Sequence, residues 1–189
     1  MLKWLRYAIE LNICKWGMAK MNKQIKVAGI INESIVDGPG IRMVIFAQGC
    51  KHKCKGCHNQ HTHTFEGGEL VDIDKIISDL KKNTLLDGVT LSGGDPFEQA
   101  EKFATLAQEV KKIGLNVITY TGYTYEQLMG YSSERKGYKE LLENTDMLVD
   151  GPFIMEEKSL LLKFRGSKNQ RIIDVPNSIK DKKVALAGI

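Results

Sequence analysis

This 189-residue chain has little cysteine and little proline, four residues of each, and it lacks any long apolar run. So few cysteines, three of them within eight residues, exclude a secreted disulfide scaffold and favour a reducing compartment. No stretch approaches the roughly 18 apolar residues of a membrane-spanning helix. Glu10, Asn12 and Lys15 interrupt the apolar character of the first 20 residues, which excludes a secretory signal. We therefore expect a cytoplasmic protein without a membrane partner.

The chain also lacks a strong excess of either charge. Lys and Arg number 27 against 23 Asp and Glu, and no dense basic block suggests a nucleic-acid partner. Length and an apolar content of 42% suit one globular domain, which we predict over residues 21–189. Residues 1–20 are interpreted as an extension of uncertain role, either a short amphipathic helix or a start upstream of the true one. Cys14 is given no chemistry.

What the chain does contain is an alternation of β-rich and helical segments. Apolar runs predict strands over residues 42–50, 88–96, 116–122, 146–153 and 171–176. Helical faces are formed by two sets of apolar residues: Ile73, Ile76, Ile77 and Leu80, and then Phe103, Leu106, Ala107 and Val110. Shorter helical pieces follow at 124–130 and 138–145. The alternation predicts an α/β fold with parallel strands. Because a complete eight-stranded barrel needs roughly 200 residues or more, we expect an incomplete (β/α) barrel or an open sheet.

Glycine-rich and polar motifs follow several of these strands directly. They are GC at 49–50, SGGD at 92–95, TYTG at 119–122 and DGPF at 150–153. Parallel α/β folds place their active sites at the carboxyl ends of their strands. The recurrence therefore predicts a single site at that edge of the sheet.

Cys50, Cys54 and Cys57 form a C-x3-C-x2-C loop directly after the first of these predicted strands. A structural zinc site needs four protein ligands, and His58, His61 or His63 would have to supply the fourth. Three thiolates instead suit a [4Fe–4S] cluster whose fourth iron stays open to a substrate. The spacing favours the cluster, but zinc stays open at this point. We expect His61 and His63 to be solvated, whereas His52 and His58 are candidates to donate hydrogen bonds to cluster sulfurs.

The SGGDP motif has a structural explanation of its own. Asp95 is predicted to be a helix N-cap, with Pro96 at the first helical position and Glu98 completing a capping box. That explanation leaves Gly93 and Gly94 unaccounted for. Two glycines before a cap allow a positive φ or a close approach of backbone to a ligand.

The order of these motifs resembles the radical S-adenosylmethionine superfamily, and within it the activating proteins of anaerobic ribonucleoside-triphosphate reductase. Six colinear stretches between about residues 26 and 175 carry the resemblance: VDGPGIR, GCKHKCKGCHN, TLSGGDPF, YTGYTYEQL, DMLVDGPF and FRGSKNQRIID. Pyruvate formate-lyase activating enzymes share the first three. Many superfamily members carry an aromatic residue immediately before the third cysteine, near the adenine. Here Gly56 stands at that position, so the adenine contact is unassigned.

The resemblance implies an enzyme whose [4Fe–4S] cluster reductively cleaves S-adenosylmethionine to a 5′-deoxyadenosyl radical, which then creates a glycyl radical on the reductase. It implies Cys50, Cys54 and Cys57 as cluster ligands, no acid–base residue, and an electron donor of the flavodoxin or ferredoxin type. The residues expected to bind S-adenosylmethionine are Ser92, Gly93, Gly94, Asp95, Thr119 and Asp150. Thr119 has an alternative role as a good strand former, and Asp150 has one as a turn residue; neither of these roles involves a cofactor. Arg165 and Arg171 are expected to be solvated.

Two other functions remain open on the sequence. One is an activase of another glycyl radical enzyme, such as pyruvate formate-lyase, or a radical enzyme acting on a small molecule. The other is a non-enzymatic binding module clipped by zinc.

Overall fold

A computed structural model describes residues 23–189 as one seven-stranded sheet with helices packed on it. The strands are β1 Gln24–Ser34, β2 Arg42–Ala47, β3 Glu69–Asp72, β4 Gly88–Gly93, β5 Asn116–Tyr120, β6 Met147–Asp150 and β7 Arg171–Asp174. Their spatial order is β3-β1-β2-β4-β5-β6-β7. The predictions for residues 1–20 and for Cys14 lie outside the described residues.

The centre of the sheet is parallel and its margins are antiparallel. Strands β2, β4, β5 and β6 pair in parallel, whereas β1, β3 and β7 pair antiparallel to their neighbours. The prediction of an α/β fold with parallel strands is confirmed for the centre, but the antiparallel margins were not foreseen. In the described part of the chain β3 and β7 do not pair with each other, so the sheet stays open. This agrees with the expectation that the chain does not close a barrel.

Five helices accompany the described strands: α1 Ile73–Lys82, α2 Ala100–Lys112, α3 Tyr125–Tyr131, α4 Tyr138–Glu143 and α5 Val175–Asp181. The two predicted apolar faces on α1 and α2 are buried as expected. The α1 helix starts at Asp72, whose side chain accepts a hydrogen bond from the Asp74 amide at 3.1 Å. After α2, Gly114 takes a φ of 84°, a conformation that favours glycine after a helix. The sequence patterns missed β3 and α5, because four and seven residues are too short for a clear periodicity.

Alternate residues of the central strands serve two different apolar clusters. Val117, Leu148 and Ile173 belong to the large core beneath α1 and α2. Their neighbours Ile118, Val149 and Ile172 form a smaller cluster with Phe164 and other partly buried residues. Since successive side chains of a strand point to opposite faces, the second cluster lies on the face of the sheet away from α1 and α2. No helix among residues 23–189 is both long and apolar enough to cross a bilayer.

Arg42, at the start of β2, is buried with no exposed surface. Its guanidinium donates to the Thr90 hydroxyl at 2.7 Å and to the carbonyls of Val89, Asn116 and Pro39 at 2.8, 3.3 and 3.2 Å. Burial lowers the pKa of Arg42 to about 10. This side chain ties β2 to β4, to the start of β5 and to the loop before β2.

Replacing Arg42 by Leu should destabilise the protein strongly, because three carbonyls and one hydroxyl lose their donor inside the core. We expect a loss of about 2–4 kcal/mol in the free energy of unfolding, measured by equilibrium urea denaturation. The matched control is Lys82→Leu, which breaks an exposed pair with Asp79 and should change little. Equal effects of the two substitutions would contradict the role given to Arg42.

Candidate active site at the carboxyl ends of the parallel strands

One cavity of about 160 Å³ gathers most of the motifs at the carboxyl ends of β2, β4, β5 and β6. Its lining consists of the cysteines, several loop glycines and a few polar and aromatic residues: Cys50, His52, Cys54, Cys57, His58, Asn59, His63, Ser92, Gly93, Gly94, Tyr120, Thr121, Gly122, Gly151, Phe153, Gly166 and Gln170. Larger cavities of about 480 and 450 Å³ lie elsewhere and contain no cysteine. The chemistry of the lining, rather than size, identifies this cavity as the candidate active site.

The cysteine loop, residues 49–63, leaves β2 and returns on itself. The Gly49 amide donates to the Thr62 carbonyl at 2.8 Å, and the Cys50 amide donates to the His63 carbonyl at 3.1 Å. Gly49 has a φ of 101°, and a Cβ there would come within 2.6 Å of the Phe65 ring. The loop is therefore closed at its base by backbone hydrogen bonds, with its thiols directed to the cavity.

The three thiols share the cavity but differ in burial. Cys50 is buried, and Cys54 and Cys57 are partly exposed. Burial raises the pKa of the Cys50 thiol to about 11 and also raises the pKa of Cys54. Residues 23–189 contain no group of three or more His, Cys, Asp or Glu side chains close enough to hold a single metal ion. The three thiols therefore line one cavity, but they are not arranged as ligands of a single metal ion.

Gly93, the last residue of β4, and Gly94, the next residue, form the contact of that strand end with β2 and the start of the cysteine loop. The Gly94 amide donates to the Ala47 carbonyl at 2.7 Å, and a Cβ on Gly94 would lie 2.3 Å from the Gly49 carbonyl oxygen. Gly93 has a φ of 93°, and a Cβ there would lie 2.6 Å from backbone atoms of Phe46 and Ala47. Both the positive φ and the close backbone approach expected of this motif are present. The approach seen in the structure is to β2 and the loop after it.

Asp95 is fully buried and holds three chain segments together. Its carboxylate accepts hydrogen bonds from the Phe97 and Gly122 amides at 3.0 Å each and from the Thr121 hydroxyl at 2.9 and 3.1 Å. The Nε2 atom of His52 lies 3.0 Å from the same carboxylate. Gly122 leaves room for that ring, since a Cβ there would lie 2.4 Å from it. Asp95 is therefore the N-cap of a 3-10 turn, Pro96–Gln99, and also the link between the cysteine loop and β5.

One expectation about this region needs correction. The capping box predicted for Asp95 and Glu98 is not formed: Glu98 pairs with Lys51 at 2.8 Å and accepts from the Tyr123 hydroxyl at 2.8 Å. The Nε2 atom of His52, a candidate donor to cluster sulfurs, is engaged by Asp95, and donation from His52 to a cluster stays a prediction. A complete capping box is present at Thr124 and Gln127, where α3 begins.

Two of the predicted cofactor-binding side chains are engaged outside the cavity. The Thr119 hydroxyl is buried 2.8 Å from that of Thr145. The Asp150 carboxylate accepts from the Tyr125 amide at 2.8 Å and pairs with Arg171. Ser92, Gly93 and Gly94 do line the cavity, as expected for residues near a cofactor. Asp95 lies behind that lining.

Arg171 was expected to be solvated, but the structure shows it in ion pairs. It pairs with Asp150 and, through both terminal nitrogens, with Glu126 at 3.0 and 2.8 Å. The hydrogen bonds from Arg171 lower the pKa of Glu126 to about 2. This group joins β7 to the end of β6 and to α3, and so supports one wall of the cavity.

Several residues of the lining were not predicted from the sequence. Gln170 accepts from the Gly166 and Ser167 amides and donates to the Gly151 carbonyl, which ties together the two ends of the loop between β6 and β7. The Phe153 ring packs against Gly166, where a Cβ would lie 2.9 Å away. These residues belong to the DGPF and FRGSKNQ stretches. The two stretches are separated in the sequence, so their contact could not be predicted from either one.

Asp95→Ala should loosen the cavity and destabilise the fold, since two amides and a hydroxyl would lose their acceptor. We expect a loss on the order of 3 kcal/mol or more in unfolding free energy, with faster hydrogen exchange at the Phe97 and Gly122 amides. The exposed Asp79→Ala serves as the matched control and should leave both amides unchanged. Unaltered exchange at Gly122 in Asp95→Ala would contradict the role assigned to Asp95.

Known proteins resemble this chain over most of its length. The family model described as a 4Fe-4S single cluster domain matches residues 36–173. The anaerobic ribonucleoside-triphosphate reductase-activating protein of Vibrio cholerae is 40% identical over 147 residues, covering 73% of this chain and 90% of that protein. The proteins of the same name from Haemophilus influenzae and Enterobacteria phage T4 are 37% and 35% identical over 146 residues each, covering 73% and 72% of this chain and 90% and 86% of theirs.

One solved structure, that of QueE from Escherichia coli, aligns with a TM-score of 0.44 and 16% identity over 56% of this chain and 55% of that one. That likeness is too remote to support a functional argument. The sequence relatives and the matching domain are sufficient by themselves, and they confirm the resemblance that the motifs predicted. The chain belongs to the family of anaerobic ribonucleoside-triphosphate reductase-activating proteins.

Proposed function

We propose that this protein is an iron–sulfur activase that uses S-adenosylmethionine to generate a glycyl radical on an anaerobic ribonucleoside-triphosphate reductase. The observation that carries the proposal is the meeting of Cys50, Cys54 and Cys57 with the Gly93–Gly94 turn at one cavity. Relatives named as activating proteins of anaerobic ribonucleoside-triphosphate reductase align with most of the chain. A cytoplasmic location and one domain over residues 21–189 accord with this function and belong to the same proposal.

The residues of the cavity fit a [4Fe–4S] cluster with S-adenosylmethionine beside it. Three thiols from one loop would hold three irons, and the donor set of three leaves one iron without a protein ligand. When bound, the cluster supplies the electron that cleaves the cofactor. Burial keeps the Cys50 thiol neutral in the absence of metal, so cluster binding must displace its proton.

Part of the lining consists of backbone and small side chains. Ser92, Gly93 and Gly94 line the same cavity as the thiols, and their backbone and hydroxyl groups suit the amino and carboxylate groups of a bound amino acid. Asp95, saturated by its own four donors, positions these residues and the cysteine loop. Thr119 and Asp150 are not included in the proposed site, since their polar atoms are paired elsewhere.

A substrate that is a segment of another protein needs an open approach to the cavity. The sheet offers one because its terminal strands β3 and β7 do not close against each other in the described residues. The loop between β6 and β7 borders the cavity through Gly151, Phe153 and Gly166 and carries two strongly exposed residues, Leu160 and Leu161. An electron donor of the flavodoxin or ferredoxin type completes the proposal.

Anaerobic reconstitution with iron and sulfide tests the function directly. We expect a brown protein that, once reduced, converts S-adenosylmethionine to methionine and 5′-deoxyadenosine. With an anaerobic ribonucleoside-triphosphate reductase present, a glycyl radical should appear by electron paramagnetic resonance, and not with pyruvate formate-lyase in its place. A colourless protein carrying stoichiometric zinc would establish the zinc-clipped module instead. Radical formation on pyruvate formate-lyase alone would reassign the target.

Replacing Cys50, Cys54 or Cys57 singly by Ala should abolish cofactor cleavage, because each loss removes one corner of the cluster. We expect activity to fall by at least about 100-fold, beyond what outer-shell changes at metal sites produce, and the visible absorbance of the cluster to fall with it. Cys14→Ala is the matched control and should retain both. Any of the three variants that stays brown and active would show that the corresponding cysteine is not a ligand.

A further inference from the structure

The cysteine loop has a second side that the proposed chemistry does not use. Along the loop, His52 and Cys54 line the active-site cavity. The residues that alternate with them, Lys51, Lys53 and Lys55, are exposed. Within the described residues, Lys53 and Lys55 form no ion pair, and Lys51 is paired with the buried Glu98 but remains 66% exposed. The loop therefore presents thiols on one side and ammonium groups on the other.

Lys51 opens onto a separate cavity of about 450 Å³ whose rim is mainly cationic. Four cations line it, Lys51, Lys102, Arg135 and Lys136, against two carboxylates, Glu98 and Glu101. The charge of Glu98 is matched by Lys51 at 2.8 Å. Lys102, Arg135 and Lys136 make no ion pair with any described residue, so their charges are available to a partner.

Arg135 is held in place by aromatic side chains rather than by a carboxylate. Its guanidinium lies 4.0 Å from the centroid of the Tyr131 ring and donates to the Tyr138 hydroxyl at 3.0 Å. Tyr123 packs beneath these rings and meets the His52 ring edge-on at 4.4 Å. Arg135 therefore rests on a cluster of aromatic rings that extends to His52 in the cysteine loop.

We infer that this basic rim, Lys51, Lys102, Arg135 and Lys136, is the docking surface for an acidic one-electron donor protein of the flavodoxin or ferredoxin type. The inference rests on the proposed function. Charge complementarity selects an acidic partner and accelerates its encounter. Cys50 lines the active-site cavity and the next residue, Lys51, lines the basic one, so consecutive residues of the cysteine loop border the two cavities.

The second partner, the reductase, requires a different approach. Its glycine must reach the active-site cavity, and the lining of that cavity shares no residue with the lining of the basic one. Electron-transfer partners use small, transient interfaces, for which a patch of a few charges is sufficient. Separate surfaces allow reduction without displacing the substrate segment.

The double substitution Lys102→Glu/Lys136→Glu tests the inference, because neither side chain contacts the proposed cluster site. In the reconstituted protein we expect the rate of cluster reduction by photoreduced flavodoxin at low salt to fall by about tenfold or more and its dependence on salt to flatten. Reduction by dithionite, and the cofactor cleavage that follows it, should stay unchanged. A parallel titration of oxidised flavodoxin into each protein should show weaker binding only for this variant.

The matched control is Lys81→Glu/Lys180→Glu, which makes the same change in net charge with exposed lysines outside the basic cavity. Equal slowing by both double variants would assign the effect to net charge and overturn the inference, as would slowing by neither or an absence of flavodoxin binding by the parent protein. Slower glycyl-radical formation with dithionite as reductant would assign the surface to the reductase and also overturn it. The proposed function fails separately, if the dithionite-reduced parent protein cleaves no S-adenosylmethionine.

Discussion

The arrangement of the active site depends on the burial of one carboxylate. Asp95 has no exposed surface, so donors from the protein must replace the water it would otherwise bind, or its burial would be prohibitively costly. Those donors come from the turn after β4, from Thr121 and Gly122 after β5, and from His52 in the cysteine loop. Three segments far apart in the chain must therefore meet wherever Asp95 lies. The same interaction that caps a short 3-10 turn also determines where the predicted cluster ligands are held.

This convergence also explains the glycines around the cavity. Side chains at Gly93 or Gly94 would collide with the backbone of β2 and the start of the cysteine loop, and one at Gly122 would collide with His52. Each glycine allows two backbones, or a backbone and a ring, to come close enough for Asp95 to be shared. The close approach to β2 and the cysteine loop accounts for both glycines structurally, and it leaves their backbone at the lining of the cavity. A structural and a functional reason for the motif are therefore compatible.

The sequence predicted what depends on local pattern and missed what depends on distant partners. The buried faces of α1 and α2 follow from a periodicity of 3.6 residues and the central strands follow from apolar runs, and both predictions are confirmed. The gathering of Cys50, Cys54 and Cys57 at strand ends follows from the carboxyl-edge rule for parallel sheets. By contrast, His52 meets Asp95 across 43 residues, and Arg171 meets Glu126 across 45. No periodicity encodes such pairs, so Glu98 and Arg171 were given the wrong partner or none, and the contact of His52 with Asp95 was not predicted.

The cysteine loop has two chemically distinct sides because its residues alternate between them. Inward positions carry the groups that face the cavity, and outward positions carry lysines, whose strong hydration keeps them at the surface. His52 and Lys51 are neighbours in the chain, yet one is anchored by Asp95 and the other by Glu98, and both carboxylates belong to the same turn after β4. That turn therefore anchors both sides of the loop at once. A cluster held there would have the active-site cavity on one side of the loop and the basic rim on the other.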